Sequence, residues 1–480
     1  MCEFKVYISS IILMLFGAIV TATAQDPQHL ILVSIDTLRA DHLGCYGNWE
    51  AYTPNIDTVA RHGIMFRKAV VPCGRTNPSL ASIMTAKYPN EHGVRSLSDK
   101  LGDSEITLAE ILKNNGFTTV FVNGNTLVGP NSGFIQGFDI YRGPQGGYVL
   151  ETTKNTAKNK KSKRKQYQNR RSAHHITEYV YSLFKSLAEP RHLFLWTHYM
   201  DPHWTYDPPS PFDRMCRATD MNAPPPELTE RQLRFNPSLH AKYNEYFKAM
   251  YAGEVAYTDY HIGRLFRFLF DENVMIDSLL IVTSDHGESL GEKGFFYSHG
   301  DEVYRQSLNV PLIFWWSEQP ETNQIIPDPV QTTDIRPTIL QILAVSAPAS
   351  LANRSLLPRN GTPCDRSQIR FMYAETGTWR QNADTEKPYS SYRGKSYMIS
   401  NGLRKLIAKS GSGEFTYELF NLANDPGEKK NVIGVNLPQE NKLKTMLSEW
   451  IVKSNKTGKT EASPVSPEMI QKLERLGYIR

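Results

Sequence analysis

Three runs of apolar residues interrupt the polar sequence, at residues 30–35 (LILVSI), 193–197 (LFLWT) and 279–283 (LLIVT). Continuous apolar runs of this length are typical of strands that are buried on both faces of a parallel sheet. Polar side chains follow each run and mark the end of the strand. We therefore predict that the three segments are central strands of a mostly parallel sheet.

Segments with apolar residues at helical spacing lie between and beside these runs, at residues 54–62, 78–86, 107–115 and 239–270. Strands that alternate with helices indicate a layered α/β fold. A chain of 480 residues is also longer than one hydrophobic core usually holds. The pattern predicts an α/β fold, in which helices flank a large sheet and a smaller domain accompanies it.

The pattern of apolar and polar residues changes beyond about residue 357. Short strand-like segments follow at residues 371–374, 396–399 and 403–408, and a helix-like segment lies at residues 467–476. Such short polar pieces are typical of a small α+β unit. We predict a large α/β domain over residues 25–357 and a smaller C-terminal domain over residues 358–480.

The first residues have the pattern of a signal peptide. Lys5 precedes a short apolar run, and Ala22-Thr23-Ala24 follows it, which suits cleavage before Gln25. The alternative is an uncleaved membrane anchor, but the run falls short of the roughly 20 apolar residues that span a bilayer. We expect a signal peptide over residues 1–24 and a secreted or periplasmic protein, with no stable membrane span after its removal.

Four cysteines would remain in the mature chain, and an even number in an oxidising compartment allows two disulfides. No two of them form a C-x-x-C pair, which disfavours a zinc site built on thiolates. The four are Cys45, Cys73, Cys216 and Cys364.

The formal net charge of +5 depends on one segment, residues 154–171, which contains nine Lys and Arg and no acid. A run of this kind is usually a solvated loop, and the alternative is that it steers anions toward the protein. Only one aromatic residue, Tyr167, interrupts the run, and no nucleic-acid-binding motif accompanies it. We expect no nucleic-acid partner.

Acids and histidines follow all three predicted strands. Because the carboxyl ends of parallel strands meet at one edge of a sheet, these side chains should converge on one crevice. Two carboxylates and an imidazole suit a divalent cation such as Ca²⁺, Mg²⁺, Mn²⁺ or Zn²⁺. The residues after the first strand, the second and the third are Asp36; His198, Asp201 and His203; Asp285 and His286.

A further candidate is Thr76, in the segment RTNPSLAS. Pro78 fits the first turn of a helix, which places Thr76 just before the helix begins. The free N–H groups at that end would hold a sulfate or phosphate oxygen while the Thr76 hydroxyl faces the cation. The alternative is that Thr76 is simply a capping residue.

The motifs LILVSIDTLRADHLGCYG, TPNIDTVARHGIMFRKAV, NPSLASIMTAKYPNEHG, HYMDPHWTY, VTSDHGESLGEKGFFYSHG and YELFNLANDPGEKKN occur in this order. Together they resemble the sulfatases of the alkaline phosphatase superfamily, over nearly the whole mature chain. The resemblance implies an alkaline-phosphatase-like fold and one divalent cation, Ca²⁺ by preference.

The resemblance also implies roles for individual residues. Asp36, Asp285 and His286 would be metal ligands, together with Thr76 as the metal-bound nucleophile. His203 and His299 would contact the anionic group of the ester or protonate its leaving oxygen. His198 and Asp201 would support these substrate contacts or bind a second cation.

The sequence departs from the typical sulfatase pattern at the nucleophile. Thr76 stands where sulfatases carry the cysteine that becomes formylglycine, and Leu80 stands at the position of the arginine. The lysine expected after the Gly-Phe-x-Thr piece is also missing, since Asn123-Gly124-Asn125 occupies that stretch, and Thr37 follows Asp36 where many sulfatases have a second acid. We expect no formylglycine. An unmodified threonine forms a stable ester, which suits phosphoryl groups better.

The sequence thus predicts a metal-dependent hydrolase of sulfuric or phosphoric esters, acting on a small molecule or a glycan. One alternative is a catalytically inactive sulfatase-like protein that binds a sulfated glycan. Another is a phosphoryl-group transferase, which product analysis with an acceptor alcohol distinguishes. Clustered titratable groups in one cleft favour an enzyme over an inert binder.

Overall fold

The structure is a computed structural model. It describes residues 27–144, 146–149, 172–185, 187, 192–216, 236–317, 323–351, 354–357, 370–377, 394–411 and 414–457. The predicted signal peptide, the basic segment 154–171, Cys364 and the helix predicted at residues 467–476 lie outside these ranges.

Ten strands within the described residues form one large sheet. Its spatial order is β10-β2-β11-β7-β1-β6-β3-β4-β5, and β12 pairs with β2 beside this path. The strands are β1 (His29–Ile35), β2 (Ile64–Val70), β3 (Thr118–Asn123), β4 (Ile140–Gly143), β5 (Gly146–Val149), β6 (Leu193–Tyr199), β7 (Ser278–Ser284), β10 (Asn309–Val310), β11 (Leu312–Trp315) and β12 (Gln324–Gln331), and the short pair β8 (Ser289–Leu290) and β9 (Phe296–Ser298) lies apart.

The three strands predicted from the apolar runs are confirmed as β1, β6 and β7, which lie side by side and parallel. The side chains of β1 alternate between two hydrophobic cores, one on each face of the sheet, so that the strand is buried throughout. Ile35 lies level with Tyr199 on β6 and with Ser284 on β7. Asp36 and Asp285, the next residues, therefore leave the sheet at the same edge.

The sheet is mixed at its margins. β11 runs antiparallel to β7 and to β2, and β5 runs antiparallel to β4. The α/β fold class is thus confirmed, and its parallel part is the central block of β7, β1, β6, β3 and β4.

Helices cover both faces of the sheet, and those expected from apolar spacing are present with small shifts at their ends. The helix around Thr107 begins with a capping box, in which Glu110 N–H donates to the Thr107 hydroxyl oxygen. The helices are α1 (Pro54–His62), α2 (Thr76–Thr85), α3 (Pro89–His92), α4 (Leu108–Asn114), α5 (Ala173–Phe184), α6 (Phe212–Met215), α7 (Pro237–Asp271), α8 (Arg305–Leu308), α9 (Ile335–Ile342) and α10 (Leu437–Thr457).

A four-stranded antiparallel sheet follows, with strands β13 (Met372–Glu375), β14 (Ser396–Ser400), β15 (Arg404–Ser410) and β16 (Phe415–Asn421). The first three correspond to the predicted short strands. The pattern did not predict β16 or the helix α10, which covers the sheet with Leu443, Leu447 and Ile451 at helical spacing.

The small sheet also packs against the large domain. Met372, Ala374 and Met398 belong to the same hydrophobic core as Leu30 of β1. Beyond the end of β13, Gly377 N–H donates to the carbonyl of Gly300 at 3.3 Å. The end of β13 therefore reaches the edge of the large sheet where Asp36 and Asp285 lie.

No helix in the described part of the chain combines the length and the apolarity needed to cross a membrane. Cys45, Cys73 and Cys216 are free thiols. Two disulfides, which the cysteine count allowed, are not formed, since two bridges among four cysteines would require a bond between two of these three. Burial raises the pKa of Cys73 to about 12, which suppresses the thiolate that disulfide formation needs.

Candidate active site

Asp36, His198 and Asp285 form the centre of the crevice. One ligand atom from each lies within 4.8 Å of the others, and all three side chains are buried. Asp36 Oδ1, Asp285 Oδ2 and His198 Nε2 accept or donate no hydrogen bond. Buried polar atoms are normally paired, so three unpaired atoms aimed at one point fit a divalent cation.

The two carboxylates oppose each other's ionisation. Burial raises the pKa of Asp285 well above its ordinary value, and the neighbouring charge of Asp36 adds to this. Burial acts in the same direction on Asp36, but the imidazoles of His198, His203 and His286 lower its pKa to about 2. A divalent cation between the two carboxylates would offset the cost of holding both charges in the interior.

Asp36 is held from its other side by Asn125, whose Nδ2 donates to Asp36 Oδ2 at 2.9 Å. Asn125 itself is fixed, because its backbone N–H donates to Asn123 Oδ1 at 2.8 Å. Both residues belong to the Asn-Gly-Asn stretch that replaces the expected lysine. The stretch therefore contributes to the orientation of a carboxylate that points into the site.

The backbone is strained at Thr37, the residue that follows Asp36. Thr37 has a φ of 56°, in the left-handed region that non-glycine residues rarely adopt. Its N–H donates to Asp285 Oδ1 at 3.3 Å, and its carbonyl accepts from the Tyr251 hydroxyl at 2.7 Å. These contacts hold Asp36 and Asp285 in fixed relation to each other.

His286 lies beside the two aspartates. Its Nδ1 lies 3.0 Å from the carbonyl of Gly287, which can only accept, so that the hydrogen is on Nδ1 and the lone pair on Nε2. Nε2 lies 3.4 Å from Asp285 Oδ2 and 3.8 Å from Asp36 Oδ1. Burial lowers the pKa of His286, which favours the neutral ring that coordinates a metal.

Thr76 lies beside His286, with 3.3 Å between its Oγ1 and His286 Nε2. It is the first residue of α2, and Arg75 occupies the capping position before it. The expectation that Thr76 precedes the helix was therefore off by one position, and the alternative that Thr76 serves as the cap is wrong. Its hydroxyl is directed to the cluster of His286 and the aspartates, at the positive end of a fully buried helix.

His203 and His299 stand next to this centre. The ring centroid of His299 lies 4.3 Å from that of His286 and 5.1 Å from that of His203. His299 Nδ1 lies 3.0 Å from the buried Glu288 carboxylate, and His203 Nδ1 lies 2.6 Å from the Trp204 carbonyl. In both rings Nε2 is therefore the nitrogen that can accept or return a proton.

Asp201 is buried, and its charge acts on two tyrosines. Its charge contributes, after burial, to the raised pKa values of Tyr199 and Tyr257. Within the described residues, the group of Asp36, His198 and Asp285 is the only one with metal-ligand spacing. The structure thus groups His198 with Asp36 and Asp285, and no group of this kind in the described residues includes Asp201.

Arg75 places a positive charge next to Thr76, its neighbour in the sequence. Its guanidinium donates to Asp301 Oδ1 at 2.9 Å, and its side chain is buried between Gly300 and Gly377. A Cβ on Gly377 would lie 2.1 Å from Arg75 Cδ, and one on Gly300 would lie 2.4 Å from its Cγ. Both glycines are therefore needed for the course of this side chain.

Sequence reasoning missed three contributors: Asn125, Glu288 and Arg75. Each belongs to a stretch that the sequence comparison singled out, and two of them lie within two positions of a candidate residue. Glu288 is two positions after His286, and Arg75 precedes Thr76. The available signal was therefore proximity in sequence, whereas the partner of each depends on the fold.

Two family sequence models match the chain. Residues 28–345 match the one described as Sulfatase, and residues 291–457 match the one described as N-sulphoglucosamine sulphohydrolase, C-terminal. The multifunctional alkaline phosphatase superfamily protein PehA of Trinickia caryophylli is 24% identical over 418 residues, which cover 72% of this chain and 80% of that protein.

Solved structures share the fold. A phosphonate monoester hydrolase of Agrobacterium radiobacter superposes with a TM-score of 0.67 at 18% identity, covering 92% of this chain and 98% of that one. A protein solved with its substrate D-glucosamine-2-N,6-O-disulfate superposes with a TM-score of 0.68 at 18% identity, covering 91% and 100%. The large sheet and the small antiparallel sheet occur together in these folds.

Proposed function

The chain belongs to the sulfatase family of the alkaline phosphatase superfamily, and from that premise we propose that it hydrolyses a sulfate or phosphate ester with Thr76 as the nucleophile. The observation that carries the proposal is the position of the Thr76 hydroxyl, 3.3 Å from His286 Nε2 at the edge of the Asp36 and Asp285 pair. A threonine that only stabilised the helix would have no need of this position.

The residues present suit a divalent cation. Asp36, Asp285 and His286 would hold it, with the Thr76 oxygen beside them, and the unpaired Asp36 Oδ1 and Asp285 Oδ2 support this assignment. When bound, the cation supplies positive charge that stabilises the deprotonated Thr76 oxygen and the oxygens of the ester.

The chain's own residues account for the first half of the reaction. The Thr76 oxygen forms a bond to the sulfur or phosphorus atom, and the bond from that atom to the leaving oxygen breaks. His299 or His203 gives a proton to the leaving oxygen, which departs as an alcohol. The hydroxyl proton of Thr76 passes to solvent when the oxygen is deprotonated, and the imidazolium supplies the separate proton that the alcohol gains.

In the second half, water attacks the same sulfur or phosphorus atom and the ester bond to Thr76 breaks. The imidazole that gave up its proton takes one from the attacking water, and the Thr76 oxygen takes back a proton from solvent. The free N–H groups at the start of α2 stabilise the negative charge on the oxygens in both halves.

A phosphoryl group suits this route better than a sulfuryl group. A formylglycine hydrate can release sulfate by elimination, whereas an unmodified threonine ester must be cleaved by water. PehA and the phosphonate monoester hydrolase are both related in fold or sequence, and the name of the latter indicates a phosphorus substrate. The sulfated sugar bound by the other neighbour supports a glycan as the ester's carrier.

We also propose that the enzyme acts outside the cytoplasm, because the first 24 residues have the pattern of a signal peptide. Mass spectrometry of the secreted or periplasmic fraction would identify the first residue. A mature chain that begins at Gln25 supports the proposal, and a chain that retains the leader contradicts it.

The activity is tested with the purified mature chain against an aryl sulfate, a phosphate monoester and a phosphodiester. The protein is assayed after chelation and after each of Ca²⁺, Mg²⁺, Mn²⁺ and Zn²⁺ is restored. We expect chelation to abolish turnover and Thr76→Ala to lower it by about a thousandfold or more. Thr85→Ala is the matched control, since it removes a hydroxyl of the same helix that donates to the Ala81 carbonyl.

An unchanged rate in Thr76→Ala would remove Thr76 from the mechanism. A wild-type protein that binds a sulfated glycan but cleaves none of the three esters would show an inactive binder instead. Transfer of the phosphoryl group to an added alcohol, with little release to water, would identify a transferase.

A further inference from the structure

We infer that His198 is itself a ligand of the cation, and that the site therefore prefers a transition-series dication such as Zn²⁺ or Mn²⁺ to Ca²⁺. The inference rests on the cation of the proposed function and concerns which side chains hold it. Three features support the assignment: the ring nitrogen Nε2 is unpaired, Ser34 contacts the other ring nitrogen, and Nε2 faces Asp36.

The first contribution is the state of His198 Nε2. The side chain is fully buried, and Nε2 makes no hydrogen bond. One ring nitrogen of His198 lies within 4.8 Å of a carboxylate oxygen of each aspartate, and Nε2 lies 3.5 Å from Asp36 Oδ2. A buried nitrogen without a partner is costly, and coordination of a cation at the shared point would satisfy it.

The second contribution is the support behind the ring. Trp196 Nε1 can only donate, and it gives its hydrogen to Ser34 Oγ at 2.8 Å. The same oxygen lies 2.9 Å from His198 Nδ1 and 3.4 Å from the Thr197 carbonyl. If Nδ1 donates to Ser34 and Ser34 donates to Thr197, every donor is used and the lone pair is on Nε2.

This is the arrangement that metal-bound histidines usually have, with the remote ring nitrogen donating to a fixed oxygen. The register of the strands places the residues on either side of the ring. Ser34 on β1 lies level with His198 on β6, and Asn123 on β3 lies level with His198 on the other side. The ring is therefore held by the strands themselves and not by a loop.

The third contribution is the relation of His198 to Asp36. Nε2 lies 3.5 Å from Asp36 Oδ2, longer than a well-formed N–H···O hydrogen bond, and it has no other hydrogen-bond partner. Asp36 Oδ2 already accepts from Asn125 at 2.9 Å. The long contact is compatible with a cation held by both side chains, whereas direct donation from His198 to Asp36 would require the ring to carry its hydrogen on Nε2.

The ligand set then contains two imidazoles, from His198 and His286, beside two carboxylates and a hydroxyl. Ca²⁺ takes oxygen ligands, whereas imidazole nitrogen suits Zn²⁺ and Mn²⁺. A site with two nitrogens should therefore discriminate against Ca²⁺. This differs from the Ca²⁺ that the sulfatase resemblance implied.

The decisive measurement counts the coordinated nitrogens. The mature wild-type chain is stripped of metal, loaded with one equivalent of Mn²⁺ and examined by pulsed electron paramagnetic resonance. We expect nitrogen couplings from two imidazoles in the wild type and from one in His198→Gln. The control is His203→Gln, which removes a neighbouring imidazole outside the ligand set and should leave two.

A second measurement is competitive. The stripped chain is dialysed against equal concentrations of Zn²⁺, Mn²⁺, Mg²⁺ and Ca²⁺, and the bound metal is determined by elemental mass spectrometry. We expect one equivalent of Zn²⁺ and no retained Ca²⁺, and His198→Gln should weaken Zn²⁺ binding by at least about tenfold.

Coupling from a single imidazole in the wild type would overturn the inference, and so would two couplings in His198→Gln. The wild-type spectrum decides the question even if the variant does not fold. These outcomes are separate from those of the hydrolysis assay. Two coupled imidazoles in a protein that cleaves no ester would refute the proposed function and leave this inference intact.

Discussion

Arg75 donates a hydrogen bond to Asp301 at 2.9 Å and so links the start of α2 to the loop that carries His299. Arg75 is the neighbour of Thr76, and Asp301 is two residues from His299. The ion pair is almost fully buried, with side-chain exposures of 2% and 12%. Thr76, the proposed nucleophile, and His299, the candidate proton donor, are thus linked through one contact between their sequence neighbours.

The first prediction concerns Gly377, which lies against Arg75. In Gly377→Ala the new Cβ would lie 2.1 Å from Arg75 Cδ, so that the arginine must move. We expect ester turnover to fall by about tenfold or more, because small displacements of catalytic groups are costly. Steady-state kinetics and the melting temperature are measured together.

Gly102→Ala is the matched control, since the nearest atom to its Cβ is Ser104 Oγ at 3.7 Å. It should leave both kinetics and melting temperature close to wild type. Full activity in Gly377→Ala would show that the position of Arg75 does not matter to the reaction.

The second prediction concerns Glu288, whose carboxylate lies 3.0 Å from His299 Nδ1. Glu288→Gln keeps the size of the side chain but weakens the orientation of the ring. If His299 protonates the leaving oxygen, the loss should be large for alkyl esters and small for aryl esters with good leaving groups. We expect the two losses to differ by about tenfold or more.

A uniform loss across the leaving groups would assign Glu288 a structural role only. The plot of log kcat against leaving-group acidity, for wild type and Glu288→Gln, separates the two cases. His203→Gln, assayed with the same esters, shows whether the other imidazole shares the task.

The third prediction concerns Asn125 and the charge of the cation site. Asn125→Asp would place a further carboxylate 2.9 Å from Asp36 Oδ2, where the amide now donates. Without metal, the buried like charges should destabilise the fold by about 1–3 kcal/mol. Added divalent cation should restore more stability to this variant than to the wild type.

Unfolding in chelator and in saturating cation gives both quantities, and Asn125→Ala separates loss of the donor from gain of the charge. If Asn125→Asp were as stable as the wild type in chelator, Asn125 would not lie against an ionised Asp36.

The fourth prediction concerns stability in acid. His92 is buried behind α2, where its Nδ1 accepts from Val94 N–H and its Nε2 lies 3.0 Å from Ser82 Oγ. Burial lowers the pKa of His92 from 6.5 to about 3. Folding disfavours the protonated ring. The contribution of the neutral His92 to the free energy of unfolding is therefore complete above pH 6.5 and is lost as the pH falls toward 3.

Within that window the free energy of unfolding should fall by roughly 1.4 kcal/mol per pH unit because of this one residue. His92→Gln should reduce the slope by that amount. Denaturant titrations between pH 7 and pH 4 provide the comparison, and equal slopes in the two proteins would contradict the assignment.

The pair Asp36 and Asp285 was predictable because each follows a strand whose apolar run is unambiguous. Once the strands are parallel neighbours, register alone brings the two carboxylates to one edge. Thr76 was identified by its place before Pro78, although α2 begins at Thr76 itself.

Contacts that depend on the return of distant segments were not predictable in this way. The approach of Glu288 to His299 requires the short antiparallel pair β8 and β9 to fold back. The path of Arg75 depends on Gly377, which arrives from the small C-terminal sheet. Neither segment has a strong apolar pattern, so periodicity gave no indication of where it would lie.

Gly377 is synthesised long after Arg75, so that the surroundings of Arg75 are completed late in translation. Arg75 is made early, but the surface that confines it is complete only after the ribosome has released the segment around Gly377. A nascent chain that ends before this point already contains Asp36, Thr76 and Asp285 and still lacks the wall that fixes their neighbour. The side chain of Arg75 is therefore confined on this side only once the small sheet has been translated and docked.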